Sequence, residues 1–234
     1  MAETLVKDTQ VKEPLIRFGK AEKKLLTDPI NSTNPITVQV LGICSALAVT
    51  TLMSKAVVMA IALIFVVTFS NLTVSLLRNY IPKQVRMIVQ LVVIATLVTV
   101  VELVLKAVNY PIYKELSVFI GLIITNCIVM GRLEAFASGN PPYKSVLDGL
   151  GNGLGYGIIL IIVAFFRELL GKGTLYNYKI IGNTPEYLIN TTDSFLFSWY
   201  ANNNLMVLFP SAMFVIGIII WVHRVWNKSL VDIS

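Results

Sequence analysis

Two cysteines, Cys44 and Cys127, are the residues in this 234-residue chain whose chemistry is hardest to treat as filler. Both lie inside apolar blocks, so they form no disulfide framework of the secreted type. A free cysteine is often just a small buried hydrophobe, and that is the bland reading. Against it, both neighbourhoods hold small or polar residues: Gly42 and Ser45 around the first, Thr125 and Asn126 around the second. Glycine admits close backbone N–H groups, and hydrogen bonds to sulfur tune a cluster's potential. Thiolate ligands suit an iron–sulfur cluster or zinc, and either centre takes about four protein ligands. The chain supplies two cysteines, and its single His223 lies at the far end of the last apolar block. A metal centre here therefore needs a second chain.

The acidic residues in or near apolar blocks are Glu102, Glu134, Asp148 and Glu168. Glu102 precedes Lys106 by one helical turn, which predicts a helix-face ion pair. Glu168 follows Arg167 and is expected to cap a span end at the interface. Glu134 and Asp148 flank the loop Ser138–Ser145, which holds Pro141 and Pro142, and are expected at the cytoplasmic interface. A glycine ladder, Gly149, Gly151, Gly153, Gly155 and Gly157, does not fit G-x-G-x-x-G and follows no strand, which excludes a dinucleotide fold. On a helix, Gly149, Gly153 and Gly157 form a small-residue stripe for close helix packing. No P-loop, Cys-x-x-Cys pair or catalytic constellation is present.

The elements that carry these residues are membrane spans. Hydrophobic residues make up 56% of the chain and charged residues 14%, against about 25% charged in soluble domains. The apolar residues fall in blocks at roughly 36–52, 56–77, 88–108, 116–137, 147–170 and 205–226. A span needs about 20 residues, and the alternation of β-barrel strands is absent. The fold class expected is an all-α integral membrane protein of about six transmembrane helices. The polar segment 1–33 precedes them; its Leu15, Ile16, Phe18, Leu25 and Leu26 fit either an amphipathic surface helix or a frayed, solvated tail. No cleavable signal is visible, so the first span is expected to insert uncleaved.

An even span number puts both termini on one side. That side carries thirteen of the 19 Lys and Arg residues, the other six, which predicts cytoplasmic termini. The +6 net charge is flanking Lys and Arg and implies no nucleic-acid partner. Dividing the membrane domain 34–234 after the third span places Cys44 and Cys127 at matching depth in the first span of each half. Three spans is an odd number, so the halves, about 34–110 and 114–228, are expected to be inverted repeats. Such repeats commonly hold their site near the midplane.

Four segments carry a family resemblance: Gln39–Thr51 (QVLGICSALAVTT) after Asn34-Pro35, Ser70–Asn79 (SNLTVSLLRN), Ser117–Arg132 (SVFIGLIITNCIVMGR) and Asp148–Leu170 (DGLGNGLGYGIILIIVAFFRELL). They resemble the family that holds the D-type and E-type membrane components of the sodium-translocating NADH:quinone reductase and their counterparts in the Rnf ferredoxin:NAD oxidoreductase. The resemblance runs from Asn34 to Trp226. The tail Phe209–Trp221 (FPSAMFVIGIIIW) and the cytoplasmic termini resemble the D type. Segments 1–33 and 171–204 carry no family motif.

The resemblance implies one component of a bacterial inner-membrane complex that oxidises NADH, reduces ubiquinone and moves sodium outward. It implies that Cys44 and Cys127 hold half of an intramembrane [2Fe-2S] cluster, with two more cysteines from a homologous E-type partner. It places FMN, FAD, NADH and quinone on other chains of the complex. The rival expectations are the Rnf counterpart and a stand-alone inverted-repeat transporter, in which the cysteines are dispensable.

Overall fold

The computed structural model describes residues 20–30, 32–82, 84–108, 110–171, 174–175, 178–179 and 208–226. The segment before Lys20 and most of the 171–204 loop lie outside the described residues. The architecture is helical: α1 (Lys20–Thr27), a 3-10 turn Asp28–Ile30, α2 (Ile43–Val49), α3 (Met53–Leu77), α4 (Arg86–Val108), α5 (Tyr110–Ile124), α6 (Cys127–Arg132) running into a π-helical turn Leu133–Ala137, α7 (Pro142–Gly171) and α8 (Phe209–Trp226). A two-residue hairpin, Thr174–Leu175 with Tyr178–Lys179, follows α7.

Four helical runs among the described residues are long and apolar enough to cross a membrane: Met53–Leu77, Arg86–Val108, Ser117–Ala137 and Pro142–Gly171. A shorter apolar helix, Pro210–Trp226, joins them. The block at 36–52 is not one helix. Its first half is a chain of turns, and only Ile43–Val49 is α-helical. The block at 116–137 is broken at Thr125–Asn126. Outward faces are apolar, as a lipid-facing surface must be: on α4, Met87, Ile88, Val92, Leu103 and Val104 are exposed.

The centre is the antiparallel pair α3 and α7. The expected glycine stripe packs here. A Cβ on Gly149 would lie 3.0 Å from the Thr68 Cα, one on Gly153 3.1 Å from the Ile64 Cα, and one on Gly157 3.3 Å from the Ala60 Cβ. Backbone meets backbone with no room for side chains. The alternate glycines face the other way. Gly151 abuts the Leu25 carbonyl, where a Cβ would sit at 2.7 Å, and Gly155 abuts the Pro29 carbonyl. The Asn34 amide then donates to the Gly155 carbonyl at 3.2 Å. Residues 20–30 and Asn34 are thereby seated on α7, with Lys23 and Lys24 outward, Leu25 and Leu26 half-buried and Pro29 buried.

Gly153→Leu is expected to abolish recovery of folded protein from membranes, because the leucine would push α3 off α7. Gly121→Leu is the control, since nothing lies within 4 Å of its Cβ position. Equal yields of the two variants in a monodisperse detergent preparation would rule out this packing role.

Candidate functional site

The turn before α2 is built by Asn34. Its Oδ1 accepts from the Ile36 amide at 3.0 Å and the Thr37 amide at 3.2 Å, and its carbonyl accepts from Val38 and Gln39. The side chain thus copies a backbone turn. Val40 is held at φ 58° and Gly42 at φ 78°. A β-branched residue rarely adopts that region, and the strain costs about 1–3 kcal/mol. Gly42 is the N-cap of α2, and Cys44 is the second residue of that helix.

The second cysteine is presented in the same way. Asn126 takes an extended conformation, caps α6 by accepting from the Ile128 amide, and leaves Cys127 as the first residue of the helix. Each cysteine therefore sits in the first turn of a helix that begins inside an apolar block. Amide N–H groups there have no partner within the helix.

The two cysteine segments touch. The Asn126 amide donates to the Ser45 hydroxyl at 3.0 Å, so residues adjacent to Cys127 and Cys44 are hydrogen-bonded to each other. Ser45 is also 2.7 Å from the Tyr156 hydroxyl on α7 and donates to the Gly42 carbonyl at 2.9 Å. The Ser45, Asn126 and Tyr156 side chains are all buried. Both cysteines are free and exposed. They are therefore not buried hydrophobes: on this chain they are surface thiols flanking a buried polar node. Among the described residues no group of three or more His, Cys, Asp and Glu side chains could hold a metal ion. His223 lies in the last turn of α8, on neither element that carries a cysteine.

The charged residues hold helix ends. Arg167 is 1% exposed and donates to the Leu47 carbonyl at 3.2 Å, the Thr50 hydroxyl at 2.6 Å and the Leu208 carbonyl at 3.1 Å. It thereby closes the C-terminal end of α2. Glu168 accepts from the Met53 amide at 2.6 Å and caps the start of α3. Glu168 is a cap, as expected, but a buried one. Asp148 is buried and paired through both oxygens with Arg132, tying α7 to α6. Asn152 donates to it at 3.0 Å. Glu134 pairs with Arg86 and accepts from Gln90 at 3.1 Å. Glu102 does not pair with Lys106. It accepts from the Tyr113 hydroxyl at 2.9 Å, while the Lys106 ammonium lies 5.8 Å from the centre of the Tyr113 ring. That hydrogen bond to a carboxylate pushes the Tyr113 phenol upward from its ordinary value.

Tyr156 and Arg167 are not legible in the sequence as site-building residues. Each stands in an apolar run, and its partner on α2 or in the turn after it, Ser45 or Thr50, is more than a hundred residues away in the chain. Only the polar pair Ser45 and Asn126, each beside a cysteine, signals the node.

A family model described as "Rnf-Nqr subunit, membrane protein" matches residues 23–220. A Haemophilus influenzae protein, named as the D subunit of Na(+)-translocating NADH-quinone reductase, is 57% identical over 207 residues, 88% of this chain and 95% of the relative. The protein of the same name from Psychromonas ingrahamii is 53% identical over 210 residues, covering 90% and 95%. That from Photobacterium profundum is 54% identical over 213 residues, covering 91% and 97%. Matched over most of its length by the family model and by relatives that it covers almost completely, the chain belongs to the Rnf-Nqr family of membrane subunits.

Proposed function

We propose that this chain is the D-type membrane component of a sodium-translocating NADH:quinone reductase, and that Cys44 and Cys127 hold half of a [2Fe-2S] cluster whose other two ligands come from a homologous E-type partner. Identity above 50% to relatives bearing the D-type name carries the first part. The exposure of both free thiols on adjacent, hydrogen-bonded segments carries the second.

The donor set fits the cluster as a half-site. Two cysteines are in first turns of helices, and the required four ligands are not met within the described residues. When bound, a [2Fe-2S] cluster passes one electron at a time. The chain's own part is to fix the two exposed thiols on hydrogen-bonded segments that a partner chain can reach. NADH, FMN, FAD and quinone belong to partner chains in this reading. Net sodium movement follows from coupling that electron step to helix rearrangement in the assembled complex. Neighbouring genes distinguish this reading from the Rnf counterpart.

Six spans as two inverted repeats complete the proposal. Three parallels support it. Each half has its first apolar block broken beside its cysteine. Each half's second span, α3 or α7, is the other's main packing partner. The break in each half lies against the break in the other. The Lys and Arg distribution orients both termini to the cytoplasm of a bacterial inner membrane. Reporter fusions after Trp226 and at Lys83 should read cytoplasmic and one at Asn183 extracytoplasmic. Reversed signals at all three sites would assign the opposite orientation.

A further inference from the structure

The Ser45 hydroxyl closes a hydrogen-bond count. A hydroxyl has one donor and two acceptor sites. Ser45 donates to the Gly42 carbonyl, and its oxygen accepts from the Asn126 amide. Its remaining acceptor site faces Tyr156, so the tyrosine O–H is the donor in that 2.7 Å contact. The Asn126 oxygen is also used, by the Ile128 amide. The Ser45 hydroxyl is therefore filled on every side. It links three elements: the turn into α2, the break before α6, and α7. The Tyr156 ring lies against Gly42, 2.9 Å from where a Cβ would stand. The ring thus holds the residue two positions before Cys44, and its hydroxyl holds the residue one position after it.

We propose that Tyr156, through Ser45 and Asn126, is a positioning residue that sets the separation and orientation of the two thiols. All three are buried, whereas both thiols are exposed. The three fix the backbone that carries Cys44 and Cys127. This rests on the reading that the two cysteines are cluster ligands. The consequence is specific. Removing one hydroxyl at Tyr156 frees the α2 turn to shift relative to the α6 break while leaving the ring packed on Gly42. The ligand geometry changes without loss of the fold.

The test uses the intact complex carrying Tyr156→Phe, Ser45→Ala or Ser45→Thr, with electron paramagnetic resonance, redox titration and iron content read together. Tyr156→Phe should assemble with full iron, a displaced midpoint potential and an altered line shape. Ser45→Ala orphans both Asn126 and Tyr156 and should displace the potential further in the same sense. Ser45→Thr restores the hydroxyl and should return the signal toward the wild type. A merely structural role moves yield but not potential. If Ser45→Ala does not assemble, Tyr156→Phe decides alone. A wild-type line shape and potential in Tyr156→Phe would overturn this inference while leaving the cysteine reading intact. A wild-type signal that survives replacement of both cysteines would overturn that reading, and this inference with it.

Discussion

In complexes carrying Cys44→Ser or Cys127→Ser, quinone reduction should fall to background while NADH oxidation by an artificial acceptor at the flavin-bearing chain should continue at the wild-type rate. Serine nearly keeps the volume of the exposed position but offers a harder oxygen donor, which suits iron–sulfur chemistry less well. Both thiols lie on the surface of the isolated chain, so the loss of a sulfur opens no core cavity and the chain should still assemble. A stand-alone transporter predicts the reverse: both variants active, and transport retained by the purified chain. Parallel assays of the two half-reactions on membranes from each variant separate these outcomes.

The largest expected effect on stability lies at Arg132. Its guanidinium is paired through two bonds with Asp148, which is 1% exposed and is also bonded by Asn152. Removing one partner of a buried ion pair leaves the other charge uncompensated, at a cost of about 3–5 kcal/mol. Arg132→Ala should therefore lower the unfolding temperature of the detergent-solubilised protein sharply. The double variant Arg132→Met with Asp148→Leu should recover most of the loss, because no lone charge remains. Thermal unfolding of all three forms checks this. Equal stability of the single variant and the wild type would mean that the pair does not tie α6 to α7.

The apolar blocks anticipate the long helices closely. The block at 56–77 corresponds to Met53–Leu77, that at 88–108 to Arg86–Val108, and that at 147–170 to Pro142–Gly171. Hydropathy sees these because lipid-facing and packed residues are both apolar. It does not see a break. Thr125 and Asn126 interrupt their block for only two residues, and the pattern resumes at once. The break is visible only as a cap: Asn126 accepts from Ile128 and ends the continuity of α5. The block at 36–52 misleads for the same reason, since turns rich in Val, Leu and Ile average like a helix.

Three of the five ladder glycines are readable. Gly149, Gly153 and Gly157 share a helix face and pack as their spacing implies. Gly151 and Gly155 meet carbonyls of the 25–29 stretch, whose position no local pattern encodes. The expected partner of Glu102 is wrong because Lys106 is nearer in sequence than Tyr113, although the α4–α5 corner brings the phenol within hydrogen-bonding distance. The cysteines are legible as a deficit of ligands. Their exposure is not, because a thiol inside an apolar block looks the same whether it faces the core or a partner.

Iron and acid-labile sulfide per complex measure the shared cluster most directly. The intact complex, compared with one carrying both Cys44→Ser and Cys127→Ser, should lose two iron and two sulfide together with one [2Fe-2S] resonance signal, matching a centre held by about four cysteines. Unchanged iron, sulfide and resonance in the double variant would contradict the shared cluster and return Cys44 and Cys127 to ordinary surface thiols.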